Sequence, residues 1–204
     1  MMKRILLFSM MAAAVMSCCS GSRNPSVVSF DEVMTSRRSV RDFDGSKTIS
    51  QAEIRTLIEA TQDAPSWTNS QPTRYYVALS PEKMEGVRDL LPEFNRNNTA
   101  GASAYIVSTF VKGQSGFFRG TPSNEVGEGW GAYDNGLANA YLILEARAMG
   151  FDTLILGGRD AEGLRTLFDI PEDEMVMAVI ALGYRASEPT RPGRKPVDEI
   201  LKIF

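Results

Sequence analysis

Both cysteines of this 204-residue chain are adjacent, at Cys18 and Cys19, and it contains no histidine, so everything after residue 19 lacks thiol and imidazole alike. That absence excludes a disulfide framework, a Cys/His zinc site, a cysteine nucleophile and a Ser-His-Asp triad within the chain. The domain must then hold together without covalent or Cys/His metal cross-links. A composition of 43% hydrophobic and 23% charged residues suits one ordinary globular domain with a sizeable core.

The first residues stand apart from that domain. "MMKRILLFSMMAAAVMSCC" has a basic start (Lys3, Arg4), a short apolar run, then small residues and cysteine, the layout of a secretory signal. The run is too short to span a bilayer comfortably. "VMSC", Val15 to Cys18, resembles the lipobox of bacterial lipoproteins, which implies a signal over residues 1–18, a lipid on Cys18, and an exported protein anchored to a membrane and facing the periplasm or cell surface. Cleavage without lipid is the alternative. Residues 19–28 read as a flexible tether and 29–204 as one domain. Loss of Lys3 and Arg4 with the signal leaves 20 Lys+Arg against 25 Asp+Glu, a balance of −5 that disfavours a nucleic-acid partner.

Along the domain, Ser29 with Glu32 and Ser50 with Glu53 have capping-box spacing, predicting a short helix from Phe30 to Arg37 and an amphipathic helix ending before Pro65. "RYYVALS" (74–80), "AYIVSTFV" (104–111), "DTLILGG" (152–158) and "EMVMAVIALGY" (174–184) read as strands, the last of them central. "PEKMEGVRDLL" and "EGLRTLFDI" read as helices, and "AYDNGLANAYLILEARAMG" (132–150) as a helix buried between layers or subunits. Residues 112–131 hold too many glycines for a regular element and read as a long loop. The tail from Arg191 ends in a strand or helix turn.

Three stretches concentrate polar groups where burial or tight turning is expected: "RRSVR" (37–41), "APSWTNSQP" (64–72) and "RPGRKP" (191–196). Arginine suits phosphate because its planar fork donates several hydrogen bonds and stays charged. Cations at a helix C-terminus are also favoured by the helix dipole, which accounts for Arg37 and Arg38 without any ligand but not for Arg41. "APSWTNSQP" is a proline-bounded loop rich in amide and hydroxyl donors, able to line a planar heteroaromatic ligand or to serve as a purely structural turn.

In order and spacing these stretches, with "YDNGLANAYLILEARAMGFDTLILGG" and "ALGYRASEPTRPGRKPVDEI", resemble the FMN-dependent nitroreductase family over roughly Ser29 to Lys202. The resemblance implies an α+β fold with a central, mainly antiparallel sheet flanked by helices, in an intertwined homodimer with two FMN sites at the interface. It implies that Arg37, Arg38 and Ser39 hold the phosphate and ribityl side of FMN together with Arg194, and that Arg41 faces the pyrimidine edge, where a fixed cation stabilises the charge left by reduction. Pro65, Ser66, Trp67, Asn69 and Gln71 match the loop the partner subunit lays on the flavin. Asn95 matches an asparagine at the ring edge, and Leu156, Gly157 and Gly158 match the segment whose backbone lies beside N5. Thr73 and Gly157 depart from tryptophan and acidic positions of many members, and Asn98 from a lysine found in some.

The implied activity is reduction of small electron-poor acceptors (nitroaromatic, quinone or flavin-like) by ping-pong transfer, with NAD(P)H as a possible donor and no metal. Arg41 and Gly157 would tune the flavin, which makes a side-chain nucleophile unnecessary. Trp130, Phe117 and Phe118 would either cover the acceptor or pack in the dimer core. A non-enzymatic flavin- or anion-binding module on the same scaffold is the rival, and a relative that cleaves flavin or removes halide is a third alternative.

Overall fold

The computed structural model describes residues 28–204; the signal, Cys18 and residues 19–27 of the tether lie outside the described residues. Among the described residues there are six strands: β1 (Thr73–Ala78), β2 (Ala104–Val111), β3 (Phe117–Phe118), β4 (Thr121–Pro122), β5 (Asp152–Leu156) and β6 (Glu174–Gly183). Four of them form one sheet in the order β1-β2-β6-β5, antiparallel throughout, with Tyr76 opposite Val107 and Ile180 opposite both Ile106 and Ile155. The sheet is therefore the antiparallel one expected, with β6 in its interior. Helices α1 (Phe30–Ser36), α2 (Gln51–Ala60), α3 (Pro81–Asp89), α4 (Glu93–Asn98), α5 (Gly129–Ala148), α6 (Ala161–Phe168) and α7 (Val197–Ile200) surround it.

The two faces of β2 explain its unbroken apolar run. Successive side chains of a strand alternate between faces. Ala104 and Ile106 pack with Leu57, Leu142 and Phe151 on the α2/α5 side, whereas Tyr105 and Val107 pack with Val87, Leu156 and Leu164 on the α3/α6 side. Both faces being covered, polar alternation would bury unpaired groups, and β2 is buried at every residue but its last.

Local signals set the helix starts. Ser50 and Glu53 close a complete capping box, whereas Ser29 accepts from the Glu32 amide without the reciprocal bond, so only half of that box forms. The segment 112–131 departs from the expected loop. It carries the β3–β4 hairpin and the first turn of α5, which begins at Gly129 rather than Ala132. Gly131 is required there: a Cβ would lie 2.4 Å from the Phe110 ring of β2. No helix among the described residues is long and apolar enough to cross a membrane.

Candidate functional site

The arginine segment lies along the exposed edge of the sheet. Arg37 caps α1, Ser39 forms a parallel bridge with Thr153 of β5, and the Val40 amide donates to the Thr153 carbonyl at 3.1 Å. Val40 and Phe43 are buried while Ser39, Arg41 and Asp42 face outward; strict strand alternation would put Ser39, Arg41 and Phe43 on one face, so the backbone departs from it before Phe43, which bridges Arg185. Arg37 is half-buried and makes no side-chain hydrogen bond or ion pair among the described residues. Arg38 is partly spent: its Nη1 donates to the Thr35 carbonyl at 2.6 Å and the Arg37 carbonyl at 2.8 Å, the helix-end role open to it from sequence. Its Nε is buried without a partner. Arg41 donates only to the Ser39 carbonyl, at 3.3 Å.

Following β5 outward from Thr153 leads in four residues, about 13 Å of strand, to Gly157 and Gly158. The Leu156 side chain is in the core, so this segment offers backbone to any ligand. A Cβ on Gly157 would meet nothing within 4 Å, an open face. Asn95, at the middle of α4, donates from Nδ2 to the Gly158 carbonyl at 3.0 Å, and Arg159 donates to the Gly157 carbonyl at 2.8 Å. Asn95 and the two glycines therefore meet, at the far end of the edge that Ser39 lines.

The 65–71 loop lies elsewhere. Thr68, Asn69 and Gln71 adopt φ of 47°, 59° and 48°, left-handed conformations that are uncommon outside glycine and persist only when surrounding contacts enforce them. Those contacts are visible. Asp134 of α5, 3% exposed, accepts from the Trp67 amide at 2.9 Å and the Ser115 hydroxyl at 2.6 Å; Ser115 in turn shares a 2.7 Å bond with Ser70, and Ser66 accepts from the Gln71 amide at 3.0 Å. Trp67 packs on Trp130 with ring centroids 4.7 Å apart, and Trp130 meets Tyr133 at 5.6 Å. Pro65, Asn69 and Gln71 are exposed, with the Gln71 amide donating to Asn69 at 3.2 Å. Phe118 stands exposed at the hairpin beside Arg119, while Phe117 is half-buried.

Beneath this loop is a cavity of about 280 Å³ lined by Ile58, Thr61, Ser66, Gln71, Tyr75 and Asp134. The Tyr75 hydroxyl donates to Asn139 at 3.1 Å, and its burial pushes its pKa up. Asn135 and Asn139 bridge α5 to Ser108 of β2, and Thr73, a departure from the family pattern, accepts weakly from Asn135 at 3.4 Å.

The chain does not bring all of the predicted residues together. The 65–71 loop is tied to Asp134 near the start of α5, whereas the arginine segment is tied to Arg147 near its end, where Arg147 Nε donates to the Ser36 hydroxyl at 2.9 Å. Thirteen residues of helix separate these ties, about 20 Å. Arg194 is exposed, and among the described residues its Nη1 donates to the Pro192 and Gly193 carbonyls. Asp134, Ser115 and Asp152 were not foreseen; polar residues inside the otherwise apolar α5 sequence were the available signal for the first. Among the described residues no group of three His, Cys, Asp or Glu is placed to hold a metal ion.

An arginine-bearing segment along the sheet edge, leading to an open glycine face on a two-sided antiparallel sheet, marks this as an α+β protein. The chain belongs to the Nitroreductase family, whose model matches residues 34–184. It is 28% identical over 202 residues to YdgI of Bacillus subtilis, provisionally named an NAD(P)H nitroreductase, covering 85% of this chain and 96% of that one. It is 27% identical over 195 residues to the CLA biosynthesis enone reductase of Lactiplantibacillus plantarum, covering 80% and 88%. A crystal structure from Exiguobacterium sibiricum 255-15, provisionally named a nitroreductase and solved in complex with FMN, superposes with a TM-score of 0.75 at 23% identity, covering 87% of this chain and 98% of that one.

Proposed function

We propose that this chain is an FMN-dependent oxidoreductase that reduces small electron-poor organic acceptors, nitroaromatic, quinone or flavin-like, in ping-pong alternation with its donor. The observation that carries the reading is the edge of the sheet, where Ser39 is bridged to Thr153 and the strand runs on to the open face at Gly157. The residues present fit the cofactor: the orphaned Nε of Arg38 lies buried in the arginine segment, the unpaired Arg37 is available to an anion, and the glycines leave room for a flat ring. Arg37, Ser39 and the remaining capacity of Arg38 would hold the phosphate with Arg194, Arg41 would face the pyrimidine edge, and Asn95 would fix the Gly157–Gly158 backbone beside the ring. Bound FMN would supply hydride and single-electron transfer, for which the chain has no group of its own. The names of relatives support NAD(P)H as a donor and include an enone reductase among acceptor chemistries.

The acting unit is a homodimer in which the partner's 65–71 loop completes the site. Two observations support this: the roughly 20 Å of α5 between Asp134 and Arg147, which anchor the loop and the arginine segment, and a tail whose Val197, Ile200, Leu201, Ile203 and Phe204 are exposed. Apolar exposure on that scale is unfavourable for a monomer in water. Export and lipidation at Cys18 are supported by the first 18 residues alone; labelling with a fatty acid, in wild type and Cys18→Ser, tests them.

The decisive experiment is spectroscopic. Purified protein that is yellow, bleaches with an anaerobic donor and recovers colour with a nitroaromatic or quinone supports the enzyme. Protein that stays colourless with added FMN overturns it, and protein that binds FMN but transfers nothing from NADH, NADPH or a quinol favours the carrier module. Comparing these three donors also tests the export reading, because an exported enzyme is expected to be reduced faster by the quinol.

A further inference from the structure

Asp152, the first residue of β5, is a carboxylate 3% exposed and flanked by two arginines. Arg185 grips it bidentately, Nη2 to Oδ1 at 2.6 Å and Nε to Oδ2 at 2.8 Å, and Arg147 approaches Oδ1 at 3.6 Å. Both arginines then reach one residue: Arg147 Nε donates to the Ser36 hydroxyl at 2.9 Å, and Arg185 Nη2 to the Ser36 carbonyl at 3.3 Å. Ser36 immediately precedes Arg37. Thr153, immediately after Asp152, bridges Ser39 and accepts from the Val40 amide. Residues 36–40 are thus pinned at both ends to one pair of β5 residues.

The same cluster pins the root of the C-terminal tail. Arg185 Nη1 donates to both oxygens of Glu188 at 2.7 Å, the Ser187 hydroxyl donates to Asp42 at 2.8 Å, and the Ala186 amide donates to the Asp42 carbonyl at 2.9 Å. A buried ion cluster is poor evidence of stabilisation, since apolar residues of similar volume often replace one without loss. Its geometry here has a specific product: it joins the segment bearing Arg37 to the chain that leads to Arg194, two sets of cations far apart in sequence.

We infer that Asp152 is a positioning residue for the FMN phosphate, acting through Arg147, Arg185 and Ser36 to fix where the Arg37–Ser39 segment and the tail root sit, an inference that rests on the FMN reading above. The test is equilibrium binding of FMN and of riboflavin, which lacks the phosphate, to the full chain as wild type, Asp152→Asn and Ser36→Ala. Ser36→Ala removes the hydroxyl tie while leaving Asp152 paired to both arginines, so it decides the question if Asp152→Asn does not fold.

Expected is a loss of about tenfold or more in FMN affinity, the scale of one charge-assisted hydrogen bond, with riboflavin affinity unchanged and an unchanged thermal midpoint for Ser36→Ala. Parallel weakening of FMN and riboflavin would show a merely structural role and overturn the inference, as would unchanged FMN affinity in Ser36→Ala. A wild-type chain that binds FMN no more tightly than riboflavin overturns the phosphate-site reading itself, and does so before any substitution is made.

Discussion

Removing the Asp134 carboxylate should release the strained 65–71 loop, and the cost can be worked from its contacts. Its Oδ2 accepts from the Trp67 amide at 2.9 Å and the Ser115 hydroxyl at 2.6 Å in a nearly water-free setting. Hydrogen bonds to a charged group contribute about 1.5–3 kcal/mol and neutral ones about 0.5–1.5, so Asp134→Asn, which can keep both acceptor contacts, should cost about 2 kcal/mol. Asp134→Ala strands the Trp67 amide, while Ser115 retains Ser70; with one stranded donor and one lost bond the cost is about 3 kcal/mol. For a domain of this size that lowers the thermal midpoint by about 6–12 °C. Urea unfolding followed by tryptophan fluorescence reports both stability and the Trp67–Trp130 contact at 4.7 Å. The order should be wild type, Asn, Ala, with the indole emission of the native Ala variant shifted toward that of exposed tryptophan. An Ala variant within about 0.5 kcal/mol of wild type and spectrally identical to it would refute the reasoning.

Gly101→Ala would place a Cβ 2.1 Å from the Phe43 carbonyl, a backbone atom that cannot rotate away; a loss of about 1–3 kcal/mol by denaturation is expected, against no resolvable change for Gly157→Ala, where the space is open. The Ser50–Glu53 capping box predicts a pH effect. The bond Glu53 accepts from the Ser50 amide holds its carboxyl below the usual range, so its stabilisation is present above the unfolded value, about 4.3, and is lost as pH falls through the lower folded value. Glu53→Gln should therefore be less stable than wild type at pH 7 and indistinguishable from it once both are well below that range; a gap that persists at the lowest pH contradicts the assignment. Deleting residues 197–204 removes the exposed apolar tail and should weaken dimerisation in sedimentation experiments, and an unchanged dissociation constant would remove the tail from the interface.

The parts of the fold legible in the sequence are those whose cause is local. Ser50 with Glu53, the β-branched and aromatic run of β2 and the turn residues around Pro65 each carry their own instruction. The hairpin was missed because its turn is Arg119–Gly120, at φ of 51° and 78°; such turns are usually signalled by Asn-Gly or Asp-Gly, and arginine gives no such cue. Arg38 shows the opposite difficulty. Sequence allowed both helix capping and phosphate binding, and only the fold reveals its Nη1 turned back on α1 with Nε left over. Asp134 and Asp152 were invisible for a third reason: Trp67 and Arg185, which they respectively bond, lie 67 and 33 residues away in the chain, and no spacing rule encodes such pairs.

Those two aspartates give the architecture its functional logic. Each is buried, each anchors one half of the proposed site, and α5 spans the distance between them, since Asp134 belongs to it and Arg147 of the same helix pairs with Asp152. A helix packed against the sheet holds those two anchor points about 20 Å apart along its axis, which is why the proposed reading takes the loop over each ligand from another copy. The polar ladder from α5 to β2 through Asn135, Asn139 and Ser108 resists sliding of the helix, because any shift would leave buried amides unpaired. Within one chain, then, the arginine edge and the strained loop are held rigidly and held apart. The proposed shared site, in which each loop lies on the other copy's edge of a two-fold dimer, is compatible with that separation.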